Sequence, residues 1–324
     1  MMPAVSIVIP SLGHLSSIRR LLESISKQSF ELKTLEIFLV INGKVNENLK
    51  IELSELVKEY HFRLEVIFLE LRGVNLARNY GLKAALSEIV IFFDDDCYVQ
   101  DAKFIQKHQE FHQTNADIFA FGGGYILPAE PNFLDYMYNY LQMKWLYSGI
   151  QAVDKRSIQL TRILLGGNFS IKKTMAVQNN LLFDEAIAYG GSEYEFFRQS
   201  YIAQMPMALG SCNVVHVTHE SLSSVTRKLF KQGRGKAHID IKYGDFSDIQ
   251  KAQYKESFSI LQKISMLYFN YVFWSGYYAF KKSPHGLLVH MYKDFVSFLN
   301  TTRYQLLNKI SKQISFKRND GDRF

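Results

Sequence analysis

Residues 89–96 read IVIFFDDD, five apolar residues followed at once by Asp94, Asp95 and Asp96. A run of β-branched and aromatic residues without alternation is typical of a strand covered on both faces, as in a parallel sheet. Open α/β sheets bind ligands just beyond the carboxyl ends of such strands. Three adjacent carboxylates repel one another unless a cation neutralises them, and oxygen ligands favour Mg²⁺ or Mn²⁺ over Zn²⁺. The stretch therefore predicts a buried strand that ends in a metal site; a solvated acidic loop is the alternative.

Strand-like and helix-like segments alternate from the first residues up to this stretch. We expect strands at Val5–Ile9, Leu35–Ile41, Leu64–Leu69 and Ile89–Phe93, and helices that begin near Ser16, Asn46 and Asn75. Alternation at this spacing predicts an α/β fold with a doubly wound, mostly parallel sheet. No GxGxxG follows the first strand, which disfavours a dinucleotide-binding domain.

Length and composition are those of a globular protein: 324 residues, 47% of them hydrophobic, can bury a substantial core in one large domain or a domain with an extension. Cys97 and Cys212 match no metal or redox spacing, which fits a reducing compartment. The first ten residues have no basic region before their apolar stretch, so we interpret them as a strand rather than a signal peptide. These features predict a cytoplasmic protein.

The net charge of +7 is concentrated towards the end of the chain. From Glu220 onward there are 18 Lys and Arg against 8 Asp and Glu, whereas the residues before it carry 20 against 23. Such asymmetry indicates an anionic surface as a partner, and composition alone does not choose between phospholipid and nucleic acid.

An uncharged aromatic segment, Ile264–Phe280, lies within this basic part, between Lys263 and Lys281. Its 17 residues are at the short limit for spanning a bilayer. Its Tyr, Trp and Phe content suits the membrane interface, and a helix buried against the rest of the protein is an equal alternative.

Seven segments in a fixed order resemble the inverting family 2 glycosyltransferases, which have the GT-A fold. They are VSIVIPSLGH, VINGK, RGVNLARNYGLKAA, IVIFFDDDCYV, GGNFSIKK, FDEAIAYGGSEYEFFR and VVHVTHESLSSVTRKLFKQGRG. The resemblance implies a GT-A domain at residues 1–220 and leaves 221–324 as a basic, helical extension that can associate with a membrane. It also implies transfer of a sugar from a nucleoside-diphosphate sugar to a glycan or lipid-linked acceptor in cell-surface polysaccharide synthesis, with Mn²⁺ or Mg²⁺ as cofactor and no nucleic acid as partner.

The resemblance assigns donor binding to residues at the strand ends and in two later turns. They are Pro10, Ser11, Asn42, Arg78, Asp94, Asp95, Gly167 and Asn168. Arg78 would offer planar donors to phosphate oxygens, its alternative being a surface salt bridge. Gly167 and Asn168 would line the sugar side, or merely form a turn. Ile41 stands where the family commonly has an aspartate that contacts the nucleotide base.

The metal ligands implied by the resemblance are Asp96, in direct contact, together with Asp94 and His216. Imidazole suits Mn²⁺ better than Mg²⁺. A single histidine at a strand end is as often structural, and His219 is the alternative ligand.

The catalytic base implied by the resemblance is Glu193, in the segment GGSEYEFF. Ser192 departs from the family pattern, which has a glutamate there. Glu195 is the second candidate, and the pair Asp184 and Glu185 is the third. A helix N-terminus rich in stabilising carboxylates is the structural alternative.

A basic cluster follows the histidine and consists of Arg227, Lys228, Lys231, Arg234 and Lys236. We expect it to close over the diphosphate or to rest on anionic lipid, and a solvated helix face is the third possibility. Lipid contact would place the protein on the inner face of the plasma membrane.

Two other functions remain open at this stage. A sugar-phosphate nucleotidyltransferase would carry a glycine-rich basic loop after the first strand, which PSLGHLSSIRR does not resemble. A non-catalytic binding protein with the GT-A fold is compatible with the departures at Ile41 and Ser192. A glycosidase would not need the nucleotide-type motifs.

Overall fold

The structure is a computed structural model that describes residues 2–187, 191–244 and 258–299. Its strands are β1 (Val5–Ser11), β2 (Leu35–Asn42), β3 (Arg63–Leu69), β4 (Ile89–Phe93), β5 (Cys97–Tyr98), β6 (Ala120–Gly122), β7 (Tyr125–Ile126), β8 (Ile150–Val153), β9 (Gln159–Thr161), β10 (Asn168–Lys172), β11 (Met207–Leu209) and β12 (Val214–His216). Its helices are α1 (Leu15–Ser26), α2 (Glu47–Lys58), α3 (Val74–Ala84), α4 (Phe104–Thr114), α5 (Phe133–Ser148), α6 (Lys173–Gln178), α7 (Ser192–Ile202), α8 (Leu222–Tyr243) and α9 (Ile260–Phe280), and residues 284–299 are also helical.

Nine strands form one sheet in the order β3-β2-β1-β4-β10-β6-β11-β9-β8. The first four are mutually parallel, and β10 lies antiparallel between β4 and β6. A second sheet pairs β5, β12 and β7. The predicted α/β fold with a mostly parallel sheet and helices is confirmed, and the strands after β4 add an antiparallel part.

Burial explains why the parallel strands were recognisable. Every residue of β1, β2 and β4 is buried, as expected for strands with neighbours on both sides and helices on their faces. The edge strand β3 instead alternates, with Arg63 and Glu65 exposed, and charged side chains of this kind discourage edge-to-edge pairing.

The predicted helix starts were close to the observed ones. The helix expected from Asn46 begins at Glu47, and Asn46 caps it by accepting a hydrogen bond from the backbone N–H of Leu49 at 2.8 Å. The sequence also predicted Ser16 as the cap of α1, which was wrong, because α1 begins at Leu15 and His14 occupies the capping position without a side-chain bond.

The last helices form a tightly packed hairpin. A Cβ at Gly233 of α8 would lie 1.9 Å from the carbonyl oxygen of Phe273, and one at Gly276 of α9 would lie 2.0 Å from that of Phe230. The two backbones therefore touch through glycines. A second hydrophobic core joins this hairpin to α5; it contains Met137, Tyr138, Leu141, Val225, Leu229, Phe269 and Val272.

The aromatic segment Ile264–Phe280 belongs to this hairpin. Its buried face, including Phe269 and Val272, packs on α8 and α5, which supports the packed-helix alternative for that face. Ile264 and Tyr271 on the opposite face are 50% and 44% exposed. Within the part of the chain that the structure describes, no helix combines the length and apolar character needed to cross a membrane.

Enlarging Gly276 should destabilise the hairpin. Gly276→Leu replaces a poor helix former, which by itself would stabilise α9 by up to about 1 kcal/mol. The collision with the Phe230 carbonyl opposes this gain, and we expect a net loss of about 1–3 kcal/mol. Denaturant unfolding measures it, with Ala279→Leu on the exposed face of α9 as the control. Equal unfolding free energies for the two variants would show that the backbones are not in contact.

Two buried histidines of α4 share one partner on β10. The Nδ1 atom of His108 and the Nε2 atom of His112 lie 2.7 and 2.8 Å from the Oγ of Ser170. Burial lowers the pKa of each histidine to about 3. The folded state therefore holds both imidazoles neutral at a pH where the unfolded chain protonates them.

We expect stability to fall as the pH drops from 6.5 towards 3, because only the unfolded state takes up these protons. Each histidine contributes up to about 1.4 kcal/mol per pH unit in this interval. His108→Asn, which retains a group near the Nδ1 position, should flatten the decline in unfolding free energy. The exposed His61→Gln should leave the decline unchanged, and an identical slope in all three proteins would refute the assignment.

Candidate functional site

The carboxyl ends of β1, β2 and β4 are joined by side-chain hydrogen bonds. The hydroxyl of Ser11 donates to Asp95, and the amide of Asn42 donates to the Ser11 carbonyl at 2.9 Å. The other end of the Asn42 side chain accepts from the N–H of Gly73 at 3.0 Å. Pro10 and Ser11 are the last two residues of β1, as expected. The donor residues predicted at the three strand ends therefore lie together.

Asp95 is held at the centre of this group. Burial raises its pKa to about 6, the hydrogen bond from Ser11 opposes the rise, and the charges of Asp96 and Asp94 add to it. A positive charge next to this carboxylate would favour its ionised form, which burial alone disfavours.

Asp96 lies against His216, because β5 pairs with β12 and places Cys97 opposite His216. The Nε2 atom of His216 is 3.3 Å from the Oδ2 of Asp96. Burial disfavours both charges, but mutual attraction prevails, so the pKa of Asp96 is lowered and that of His216 is raised. His219, the alternative ligand, is exposed.

Arg78 of α3 is only 2% exposed, so the surface salt bridge considered for it is wrong. One terminal nitrogen donates to Asp94 Oδ1 at 3.0 Å and to the carbonyl of Gly166 at 3.1 Å. Its Nε and other terminal nitrogen are buried without a partner among the described residues. Buried donors without partners are costly, so this guanidinium is arranged to receive further acceptor atoms.

Two consecutive glycines bring the base candidate to this arginine. A Cβ at Gly166 would lie 2.8 Å from the Arg78 guanidinium and 3.1 Å from the carboxyl carbon of Glu193. A Cβ at Gly167 would lie 2.9 Å from Asp94 Oδ2. Glu193 and Asp94 therefore lie on either side of the same glycine pair.

Glu193 occupies the first turn of α7, which starts after Gly191 in a left-handed conformation with φ of 77°. Such a φ suits glycine and fixes the direction in which the helix begins. Burial raises the pKa of Glu193, while the charge of Arg78 opposes the rise. A carboxylate with a raised pKa is a better proton acceptor near neutral pH.

The second candidate for the base, Glu195, is buried and surrounded by hydrogen-bond donors of the protein. It is fully buried and accepts hydrogen bonds from Gln199 at 2.6 Å, Lys242 at 2.8 Å and Tyr243 at 2.5 Å. Its carboxylate therefore ties α7 to α8, which leaves little capacity to take a proton from a substrate.

The third candidates are also engaged. Asp184 pairs with Lys242 at 2.8 Å, and Glu185 accepts from the amide of Asn79 at 2.8 Å. These contacts favour Glu193 as the base, which stays a prediction.

The segment around Gly167 and Asn168 is a turn, as expected. Asn168 donates its N–H to the Leu165 carbonyl at 3.0 Å, and its side-chain amide donates to the carbonyls of Gly124 and Cys212 at 3.0 and 2.8 Å. Its Oδ1 atom is buried and has no partner within the described part of the chain. The turn is thus held in place by the Asn168 amide, and the Oδ1 atom of Asn168 remains available as a hydrogen-bond acceptor.

Sequence reasoning missed Tyr125. Its hydroxyl accepts from the N–H of Gly167 at 2.9 Å, and its ring lies 4.5 Å, centre to centre, from that of His216. The aromatic residue directly after the glycine cluster at 122–124 was the available signal. Tyr125 connects the metal-ligand candidates to the glycine pair.

The basic cluster of α8 divides into three environments. Lys228 pairs with Glu220 at 2.5 Å, and its charge contributes to the lowered pKa of Asp96. Lys236 pairs with Asp240 at 2.6 Å. The remaining three cations lie along one open groove; they are Arg227, Lys231 and Arg234.

Asp96 and His216 fit a metal that is bound together with a substrate. Among the residues that the structure describes, no group of three or more His, Cys, Asp or Glu side chains is placed to hold an ion. Mg²⁺ and related ions commonly take one or two protein ligands and complete their shell with water and phosphate oxygens. Asp94, also predicted as a ligand, directs one oxygen to Arg78 instead.

Known proteins resemble this chain in sequence and in fold. Residues 6–176, more than half of the chain, match the family described as glycosyl transferase family 2. The uncharacterized glycosyltransferase EpsJ of Bacillus subtilis (strain 168) is 33% identical over 125 residues, which is 38% of this chain and 34% of EpsJ. The match thus spans about a third of the length of that curated relative.

Two solved structures share the fold at low identity. S. aureus TarS residues 1–349, in complex with UDP-GlcNAc, has 16% identity and a TM-score of 0.53 over 93% of this chain and 92% of TarS 1–349. The mannosyltransferase PcManGT of Pyrobaculum calidifontis, in complex with GDP-Man and Mn²⁺, has 14% identity and a TM-score of 0.60 over 94% of this chain and 85% of its own. With its sheet, its strand-end carboxylates and this family match, the chain belongs to glycosyl transferase family 2 and has the GT-A fold.

Proposed function

We propose that this transferase moves a sugar from a nucleoside-diphosphate sugar to a hydroxyl of a glycan or lipid-linked acceptor, with inversion and with Mn²⁺ or Mg²⁺. Cell-surface polysaccharide synthesis on the cytoplasmic side is the process that this reaction would serve. The observation that carries the proposal is the buried Arg78, joined to Asp94 and adjacent to Glu193 across one glycine pair. TarS with UDP-GlcNAc and PcManGT with GDP-Man and Mn²⁺ support the donor class and the metal.

The departing diphosphate is the group that needs positive charge. Arg78 has two unpaired buried nitrogens for phosphate oxygens, and planar guanidinium donors match that geometry. Asp96 and His216 would hold the divalent ion, which when bound neutralises charge on the leaving group. The ring of Tyr125 packs against His216, and the charge of Lys228 acts on Asp96.

Glu193 would act on the acceptor. Its carboxylate takes the proton of the acceptor hydroxyl while that oxygen bonds to the anomeric carbon and the carbon–oxygen bond to the diphosphate breaks. One displacement from the opposite face inverts the anomeric configuration. The raised pKa of Glu193 strengthens it as a base.

Which nucleotide base the donor carries is a separate question. Ile41 is fully buried, so this position supplies no carboxylate to a uracil ring. A panel of nucleotide sugars with Mn²⁺ identifies the donor. Adding a nucleoside triphosphate with a sugar phosphate to the panel separates the other functions, because a nucleotidyltransferase would release pyrophosphate from it, and a non-catalytic protein would bind nucleotide without turnover.

Replacing the base should reduce kcat. We expect Glu193→Gln to lower kcat about 10²- to 10⁴-fold with little change in donor affinity, because only proton transfer is lost. The wild-type rate should fall on the acid side from a higher pH than an ordinary glutamate would give, since its pKa is raised. This acid limb should be absent in the variant.

The control is Glu195→Gln, which should lower thermal stability through its lost contact with Lys242 and spare the acid limb. Unchanged turnover in Glu193→Gln would mean that another residue is the base or that no transfer occurs.

Removing either metal ligand should weaken metal-dependent binding. We expect Asp96→Asn and His216→Gln each to weaken Mn²⁺-dependent binding of a nucleoside diphosphate at least tenfold, measured by calorimetry. The exposed His219→Gln should bind as the wild type does. Turnover that persists in excess chelator, or equal affinities in all proteins, would contradict this assignment.

The C-terminal helices provide the proposed contact with an anionic membrane. Arg227 and Lys231 are exposed beside Leu222 and Phe230, which are 55% and 36% exposed. Further exposed apolar residues follow on the next helices, namely Ile260, Leu261, Ile264, Leu288, Val289, Tyr292, Phe295 and Leu299. Cations combined with exposed apolar side chains are typical of surfaces that rest on anionic lipid.

Vesicle co-sedimentation tests this contact. We expect the protein to bind phosphatidylglycerol-containing vesicles at low salt and neutral phosphatidylcholine vesicles much less, because the attraction is screened and charge-dependent. The double variant Arg227→Glu with Lys231→Glu should reduce binding to these vesicles. The control is Lys27→Glu with Lys33→Glu, two exposed positions near the start of the chain, which should not reduce it. Equal recovery with both vesicle types would remove the proposal.

A further inference from the structure

A cavity of about 330 Å³ lies between the catalytic helix α7 and the hairpin of α8 and α9. Small-molecule sites have volumes of roughly 300–1,000 Å³, so this cavity is large enough to hold a ligand. Its walls include Trp145, Ile163, Tyr194, Phe273 and Trp274. They are contributed by α5, by the segment after β9, and by α7 and α9.

The charged residues of the cavity are already engaged with neighbours. Lys236 pairs with Asp240 at 2.6 Å, and Asp240 also accepts from Tyr277 at 2.9 Å. The guanidinium of Arg162 lies 4.5 Å from the centre of the Tyr201 ring. An ionic ligand would have to displace these contacts. Most of the remaining wall is aromatic and aliphatic, and an apolar ligand would bury this surface and add van der Waals contacts to it.

The first turn of α7, which carries the proposed base, also contributes to the cavity wall. Tyr194, which lines the cavity, directly follows Glu193 in the first turn of α7. Gln232, also in the wall, donates to the hydroxyl of Tyr138 at 2.9 Å, and its Oε1 atom is buried without a partner among the described residues. That atom can accept a hydrogen bond from a hydroxyl of a bound molecule.

The cavity wall formed by Trp274 is close to the apolar outer surface. Trp274 packs on His290 with ring centres 3.8 Å apart. His290 belongs to the helical residues 284–299, whose Leu288 and Tyr292 are 63% and 71% exposed. The cavity therefore lies between the turn that carries Glu193 and the surface for which we propose membrane contact.

We propose that this cavity binds the aliphatic chain of an amphipathic acceptor and so presents the acceptor hydroxyl to Glu193. The inference rests on the proposed function and adds to it the chemical class of the acceptor. A volume of 330 Å³ accommodates about ten groups of the size of water or methylene. A chain of roughly ten carbons would therefore fill the cavity.

The two tryptophans of the chain are Trp145 and Trp274, and both line the cavity. Intrinsic fluorescence therefore reports on this site directly. We expect 11-bromoundecanol, whose bromine quenches indole on contact, to reduce the emission saturably at concentrations below its aggregation. Undecanol should compete with it, and inorganic pyrophosphate should not.

Filling the cavity supplies the test by mutation. Ser148→Phe and Ile239→Phe each place a ring inside the cavity, from two different helices. Each should raise the 11-bromoundecanol concentration at half-saturation at least tenfold. Ile202→Phe, at a 52% exposed position of α7, is the matched control and should bind as the wild type does. Quenching that rises linearly without saturation, or that survives in both filled variants, would overturn the inference.

A turnover assay distinguishes this inference from the proposed function. Once a donor is identified, a decyl glycoside acceptor should have at least a tenfold lower KM than the methyl glycoside, and Ser148→Phe should abolish the difference. Equal KM values with efficient transfer would overturn the cavity assignment alone. Saturable quenching in a protein that transfers no sugar would instead reject the proposed function.

Discussion

The buried pairing of Arg78 with Asp94 is the interaction on which the site depends. A guanidinium that is 2% exposed must have a charged partner, and removing one partner of such a pair costs roughly 3–5 kcal/mol. This contact joins α3 to the end of β4, and the second bond, to the carbonyl of Gly166, adds the turn before β10. Two of the arginine nitrogens remain available, so the same charge that organises the protein also favours an anionic ligand.

The C-terminal hairpin packs against the helix that carries the proposed base. Glu195 and Asp184 were considered as bases, but both accept from Lys242 and so connect α7 and the segment before it to α8. The helix that carries Glu193 is therefore held from its far side by the extension. The two proposals, Glu193 as the base and the cavity as the acceptor site, both rest on residues of α7.

Much of the fold and part of the site were predictable because their signals are local. The run Ile89–Phe93 is uniformly apolar and ends in charge, so the strand was placed with its observed bounds. The alternation of helices and parallel strands gave the fold class. The two-residue strands β5 and β7 have no such signal, so the pairing that brings Tyr125 next to His216 was not predictable, although the glycine cluster before Tyr125 marked that residue.

The amino-acid sequence alone determined the family-like order of motifs, the strand that ends in three aspartates, and the short set of carboxylates among which a base is sought. Only the tertiary structure shows that these carboxylates lie in different environments. Glu193 and Glu195 are two residues apart on one helix and face directions about 200° apart, since each residue turns an α-helix by about 100°. One faces Arg78 and the other faces α8. Which face meets which partner depends on how distant elements pack, and no local pattern encodes that.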